Sequence, residues 1–229
     1  MKLDFEKART ILDGKIVKTP LIQAKEPHIF LKAECLQLSG AFKIRGATYC
    51  MSLHTEEEKK RGVIAYSTGN HAKAVASAAK LLGVKATIVM SSEAPLFKIE
   101  AVQKTGAELI MAESTDVMRQ VAENIAKETK AFLVPPYDHP EIITGQGTIG
   151  LEILDEMEPE AIFVPVGGGG LIAGIAAAIK ERKPHIKLIG VEPELEDDAC
   201  RSFQNGTIQN HRGKTASIAD AVKIQRLGN

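Results

Sequence analysis

Apolar runs of three to six residues alternate along this chain with longer segments of helical periodicity. Short β-type runs are expected at residues 29–31, 62–67, 85–90, 107–111, 161–166 and 187–191. Helical patterns are expected at 72–82, 96–104, 116–130, 141–157 and 171–182. The first of these helices is rich in small residues. Strand and helix in strict succession argue for parallel strands joined by helical crossovers, an α/β architecture. Val and Ile fill the strands without strict alternation, as expected where both faces of a sheet are covered.

Prolines interrupt the pattern at Pro135-Pro136 and Pro140, and a charged stretch interrupts it at 52–58. Between these junctions lie three strand–helix units. The expected organisation is therefore a small α/β domain, residues 53–139, inserted into a larger discontinuous one, residues 1–52 and 140–229. Residues 201–217 are polar, carry Asn205-Gly206 and Arg212-Gly213, and read as surface loop.

Composition narrows the function classes. The chain has 229 residues, of which 44% are hydrophobic and 25% charged, as in ordinary globular domains. Lys+Arg and Asp+Glu both number 29, so no net field draws in nucleic acid or an acidic membrane. Trp is absent, which leaves little for base stacking. The N-terminal nine residues mix charges and read as neither signal peptide nor anchor. The longest apolar stretch, 171–179, is too short to span a bilayer. Cys35, Cys50 and Cys200 are odd in number and far apart, which suits a reducing cytoplasm.

Three motifs stand at points where chemistry is expected. Gly167-Gly168-Gly169-Gly170 joins a strand end to the helix that opens at Leu171. Four glycines there let the backbone turn tightly and present successive N–H groups at the positive end of a helix, which is a phosphate site. The spacing is not GxGxxG and no Gly-Lys-Ser/Thr follows, so dinucleotides and Walker-type nucleotides are disfavoured. Ser67-Thr68-Gly69-Asn70-His71 is a second strand-to-helix junction. Ser67, Thr68 and Asn70 can cap the helix, which is the simpler reading; the same N–H groups can hold a carboxylate. Lys43 stands between apolar Phe42 and Ile44, where desolvation would lower its pKa and give a nucleophilic amine. Arg45 can pair structurally with an acid. Glu192, Glu194, Glu196, Asp197 and Asp198 form an acidic cluster that reads first as a solvated turn and otherwise as a hard-cation site for Mg²⁺ or Ca²⁺.

Taken in order, the motifs resemble the serine/threonine dehydratase and serine racemase family of fold-type II pyridoxal phosphate enzymes, whose fold is like that of the tryptophan synthase β subunit. The resemblance is carried by Lys32-Ala33-Glu34, by Ser39-Gly40-Ala41-Phe42-Lys43-Ile44-Arg45-Gly46-Ala47 and by the Ser67–His71 turn. It is carried further by Ala94-Pro95 with Lys98, Pro135-Pro136-Tyr137-Asp138, Gly145-Gln146-Gly147-Thr148, the glycine run and Ile218-Ala219-Asp220. It implies two open parallel-sheet α/β domains. It also implies that Lys43 holds the cofactor through a Schiff base and moves the α-proton, that Phe42 packs beside the ring and that Asn70 bonds the ring hydroxyl. Gly167, Gly168, Gly169 and Gly170, with Leu171, would hold the phosphate. Ser67, Thr68 and His71 would hold the substrate carboxylate. Glu192, Asp198 and the carbonyl of Glu196 match the pattern of family members that bind a divalent cation.

The implied reaction is dehydration and deamination of L-threonine or L-serine to a 2-oxo acid and ammonia, in a cytoplasmic homodimer or higher homo-oligomer. Serine racemisation is the alternative, with Thr68 where racemases carry serine; β-replacement is a third. Departures from the pattern are Ala41 for serine, Lys73-Ala74 for Gln-Gly and Ala221 for glycine. Family members continue past the position of Asn229, so the large domain is expected to be incomplete, with no residue assigned to the pyridine nitrogen. An inactive or partner-dependent cofactor-binding fragment is the non-catalytic expectation.

Overall fold

The computed structural model describes residues 3–211, 213 and 217–229. They form two compact units, residues 7–136 and residues 1–6 together with 137–229. The division at 136/137 falls close to the proline-rich junction, and residues 7–52 group with the stretch that follows them.

Helix α1 (Phe5–Leu12) opens the chain, and its Ala8 and Leu12 pack on Tyr49. An antiparallel ribbon follows, β1 (Leu21–Gln23) with β2 (Phe30–Lys32), registering Leu21 on Lys32. Next come α2 (Lys43–Ser52), α3 (Glu56–Arg61), β3 (Val63–Tyr66), α4 (Asn70–Leu82), β4 (Ala86–Ser91), α5 (Leu96–Gln103), β5 (Glu108–Ala112), α6 (Met118–Thr129) and β6 (Phe132–Leu133). The sheet runs β5-β4-β3-β6 and every pairing in it is parallel.

Central strand β4 is buried along all six residues, which explains its lack of alternation. Ile64, Val89 and Ala112 pack beneath Met118 and Ala122 of α6. The small residues of α4 also have a physical reason. Ala72, Ala74, Ala78 and Ala79 have no exposed surface, so the helix backbone seats tightly among its neighbours. Helix α3 was hidden in the charged stretch 52–58. Its start is a reciprocal capping box: Thr55 N–H donates to Glu58 Oε2 at 2.8 Å, and Glu58 N–H donates to Thr55 Oγ1 at 3.3 Å.

The second unit contains α7 (Pro140–Glu156), β7 (Ala161–Pro165), α8 (Gly170–Arg182), β8 (Lys187–Val191) and α9 (Asp198–Asn205). Pro140 occupies the first helical turn of α7, where its missing N–H removes nothing. Strands β7 and β8 pair in parallel from Ala161 on Lys187 to Pro165 on Val191. Helices α7 and α8 touch backbone to backbone. A Cβ on Gly174 would stand 2.3 Å from the Ile143 carbonyl oxygen, and one on Gly147 would stand 2.7 Å from that of Gly174. Phe5 closes this seam from the side, with Leu151 and Ala178.

Covering of both strand faces does not extend to β7 and β8. Phe163 is 67% exposed and Val191 47%, because the described residues of this unit supply only two strands and one helical layer. The expected loop at 201–217 also differs. Residues up to Asn205 belong to α9, which ends at left-handed Gly206 (φ 66°), and Asn210 bridges to Arg226; residues 212 and 214–216 lie outside the described residues. Among the described residues no helix is long and apolar enough to cross a membrane.

Candidate functional site

Lys43 is the first residue of α2, and the chain before it is shaped to present it. Gly40 adopts a left-handed conformation (φ 75°) and donates its N–H to the Gln37 carbonyl at 2.7 Å. Buried Ser39 donates its hydroxyl to the Ala41 carbonyl at 3.1 Å. Within the first turn of α2, fully buried Arg45 grips Glu34: Nε to Oε2 at 2.8 Å and Nη2 to Oε1 at 2.7 Å. Thr19 Oγ1 adds a bond to the same carboxylate at 2.5 Å. The structural pairing expected of Arg45 thus takes its acid from Lys32-Ala33-Glu34.

The Lys43 amine donates to the Pro136 carbonyl at 2.5 Å and lies 5.6 Å from the centre of the Phe42 ring. Burial drives its pKa down from the ordinary lysine value to about 8. A lysine so placed gives up its proton far more readily than an ordinary one, with about a tenth of molecules neutral at pH 7.

The Ser67–His71 turn lies in the same unit. Ser67 leaves the end of β3 with its N–H on the Val89 carbonyl at 3.1 Å, and its hydroxyl accepts the Gly69 N–H at 3.1 Å. The expected capping of α4 by Ser67, Thr68 or Asn70 is not what forms. Gly69 occupies the cap position and no side chain caps the helix, so the first turn of α4 keeps N–H groups for a ligand. Thr68 is half-buried and Asn70 exposed. His71 is buried, with Nε2 3.0 Å from the Val134 carbonyl oxygen. Burial first, and the positive charge of Lys43 second, press its pKa to about 3. The imidazole is therefore neutral, and Nε2 carries the proton it donates to Val134. The influence of Lys43 on His71 brings two of the sequence motifs together.

The glycine run belongs to the other unit. Gly169 is left-handed (φ 88°) and caps α8 without a side chain. Tyr137 packs against the loop: a Cβ on Gly168 would stand 2.3 Å from its ring, and one on Gly170 2.7 Å from its carbonyl oxygen. Gly167 is closed in turn by Val222, 3.2 Å from where its Cβ would be. Glycine is thus required at Gly168 and Gly170 by space and at Gly169 by backbone conformation, while Gly167 is merely tight against Val222. A cleft of 760 Å³ opens beside the loop, lined by Tyr137, Gly168, Gly169, Gly170, Ile172 and Leu227 among others. Leu171 follows as the second residue of α8.

The acidic cluster is not a solvated turn. Glu196 and Asp198 are 2% and 4% exposed. Glu192 Oε1 accepts the N–H groups of Ala199 and Cys200 at 3.2 and 3.4 Å, capping α9, and burial raises its pKa. His211 Nδ1 lies 2.9 Å from Glu196 Oε2. Burial raises the Asp198 pKa, and its Oδ2 is buried without a hydrogen-bond partner.

Sequence reasoning did not single out the Pro136 and Val134 carbonyls, because every residue carries one and nothing in the side-chain pattern marks these two. It quoted Tyr137 within a motif but gave it no role.

Comparison with known proteins bears on all of this. A family model described as "Pyridoxal-phosphate dependent enzyme" matches residues 12–229. The L-threo-3-hydroxyaspartate ammonia-lyase of Saccharomyces cerevisiae is 43% identical, over 92% of this chain and 67% of its own length. The catabolic L-threonine dehydratase TdcB of Escherichia coli is 41% identical, over 99% and 71%. Among solved structures, maize serine racemase superposes with a TM-score of 0.93 at 37% identity, over 98% and 70%. The chain thus spans about seven-tenths of the length of each of these relatives.

Proposed function

This chain belongs to the pyridoxal-phosphate dependent enzyme family, with the fold-type II architecture, and on that premise we propose that it is an ammonia-lyase. Its substrate would be a β-hydroxy amino acid of the L-threonine or L-serine kind. The products are a 2-oxo acid and ammonia. The observation that carries the reading is the buried Lys43 amine, drawn to a pKa of about 8 beside the Ser67–His71 turn.

Each unit, taken by itself, carries groups suited to a part of the cofactor. Gly168 and Gly170 lie against Tyr137 with no room for a Cβ, and the side-chain-free loop they belong to is suited to a phosphate on the N–H groups that open α8. The lysine amine suits an aldehyde carbon. Pyridoxal phosphate, when bound, supplies that aldehyde and an electron sink for the bond broken at the substrate α-carbon.

The chain's own groups divide the remaining work. The N–H groups at the start of α4, with Ser67 and Thr68, hold and orient the substrate carboxylate. Asn70, exposed at the same helix start, would hold the ring hydroxyl, and Phe42 would pack beside the ring. The free Lys43 amine takes the α-proton, since a group with a pKa near 8 is suited to both accept and return one at neutral pH. Loss of the β-hydroxyl with a proton releases water, and hydrolysis of the resulting enamine gives the 2-oxo acid and ammonia. His71 stays neutral throughout and keeps the turn fixed to Val134. Ammonia-lyase relatives at about 40% identity support this class of reaction.

Serine racemisation is the second reading, favoured by the likeness to maize serine racemase. It needs a proton donor on the opposite face of the planar carbon, for which Thr68 offers a hydroxyl. Its pKa is poorly matched to proton abstraction, which places elimination first. For the acidic cluster, the buried and unbonded Asp198 Oδ2 supports a Mg²⁺ or Ca²⁺ site with Glu192 and the Glu196 carbonyl. A Tm that rises with either ion in wild type and not in Asp198→Asn would bear it out; equal Tm responses would refute it.

The deciding experiment adds the cofactor to purified protein and follows visible absorption, then adds L-threonine or L-serine. Absorption lost in Lys43→Ala, with 2-oxobutanoate or pyruvate and ammonia released by wild type, is the expected result. Cofactor bound with no 2-oxo acid from either substrate sinks the lyase reading, and D-serine as the sole product transfers it to racemisation.

A further inference from the structure

A second cleft, of 340 Å³, opens in the unit of residues 7–136, at the ends of α3 and α6. It shares no residue with the Ser67–His71 turn or the glycine loop. Its volume lies near the lower end of the range for small-molecule sites, about 300–1,000 Å³. Lys130 stands at its rim and closes α6 in the left-handed conformation (φ 57°). That conformation is costly for a residue with a Cβ, and glycine is its usual occupant at a helix end. A lysine there against that cost directs attention to its side chain.

The polar groups around the cleft are unevenly satisfied. Lys130 is joined by Arg61, the last residue of α3. Both stand at carbonyl ends of helices, which suits a cation. Among the described residues, however, no carboxylate or carbonyl takes either side chain. Glu58, the acid that also lines the cleft, is already engaged. Its Oε2 accepts the Thr55 N–H at 2.8 Å and faces His54 Nδ1 at 3.5 Å. His54 is thereby oriented, with its ring tilted on Phe132 at a centroid distance of 4.2 Å. Its other nitrogen, Nε2, is buried and has no hydrogen-bond partner. A buried nitrogen in that state calls for a partner. The rest of the wall is largely apolar, with Phe132 and Leu133 of β6.

We propose that this cleft binds an organic phosphate monoester. Arg61 and Lys130 take the phosphate oxygens through charge-assisted bonds, and His54 Nε2 supplies a third polar contact. Two cations match the charge of a phosphate monoester, about −1.5 to −2 at neutral pH, better than the single charge of a carboxylate. Phe132 and Leu133 receive the organic part. The site is independent of the lyase reading, because none of its residues has a part in that chemistry.

The test is calorimetry with phenyl phosphate, inorganic phosphate and benzoate. It uses cofactor-loaded protein freed of excess cofactor, so that the probe does not report on the glycine loop. Phenyl phosphate should bind saturably at one site, with benzoate at least about tenfold weaker. Arg61→Gln and Lys130→Gln should each weaken phenyl phosphate at least about tenfold. Lys130→Gly should do the same while Tm holds or rises, since glycine takes the left-handed conformation without strain. His54→Phe, which keeps a ring against Phe132, should weaken binding about fivefold. No saturable binding below about 10 mM overturns the proposal. So does an affinity within about twofold of wild type in both Arg61→Gln and Lys130→Gln, because the probe then sits elsewhere. Benzoate or inorganic phosphate binding as tightly as phenyl phosphate overturns the ligand class. A Lys130→Gly variant with lowered Tm and intact binding makes that lysine structural and overturns the site.

Discussion

Arg45 and Glu34 form a two-bond ion pair, at 2.8 and 2.7 Å, whose arginine has no exposed surface. Glu34 leads out of the β1–β2 ribbon and Arg45 lies two residues past Lys43, so the pair ties the ribbon to the start of α2. Glu34→Ala leaves a buried guanidinium without its carboxylate and should destabilise the protein by about 3 kcal/mol. Denaturant unfolding of cofactor-free protein measures this. Glu34→Leu combined with Arg45→Met removes both charges and should recover most of the loss; a double variant no better than Glu34→Ala would show that the pair does more than satisfy itself.

Lys43 makes the fold sensitive to alkaline pH. Its folded pKa is about 8, against 10.5 for an ordinary lysine. Below pH 8 both states hold the proton and burial of the charge weakens the fold. Between pH 8 and 10.5 the unfolded chain binds more protons than the folded one, so this group's contribution to stability rises with pH. Cofactor-free Lys43→Met should be more stable than wild type at pH 7 by about 2 kcal/mol, since relief of about 3 is offset by loss of the bond to Pro136. The gain should shrink toward pH 10. A constant difference across that range would contradict the burial argument.

His71 acts at the acidic end. Its folded pKa is near 3 and its unfolded value near 6.5. As pH falls through this interval the unfolded chain takes up a proton that the folded one refuses, and stability is lost. Thermal melts from pH 7 to pH 4 should show a steep fall in Tm for wild type and a shallower one for His71→Gln, with His71→Gln less stable at pH 7 through its poorer fit at Val134. Parallel curves would remove His71 as the cause.

Gly168 and Tyr137 form a steric pair. Gly168→Ala places a methyl carbon 2.3 Å from the tyrosine ring and should destabilise by about 2 kcal/mol, with cofactor affinity reduced at least about tenfold. Tyr137→Ala in the same chain opens the space and should restore part of the stability. If Gly168→Ala is harmless on its own, Tyr137 does not confine the loop.

The order of strands and helices was legible because hydrophobic period alone separates β4 from α4 or α6. The short pieces were not. The ribbon β1–β2 has three residues per strand, and α3 reads as a charged stretch until the Thr55–Glu58 box is seen. The burial of Lys43 was legible from its apolar neighbours Phe42 and Ile44, and the tight turn at the glycine run from four glycines at a strand-to-helix junction. Gly69 in the cap position was not, because Ser67, Thr68 and Asn70 are better capping residues on paper and the backbone left them outside the helix start.

The backbone contact between α7 and α8 has a consequence for genetics. Gly147 and Gly174 lie where the two helix backbones press together, neither has room for a methyl group, and α8 begins in the loop itself. A screen for lost cofactor binding should therefore return both positions among its hits. Reading those hits as contacts would draw the binding footprint too wide by a whole helix pair.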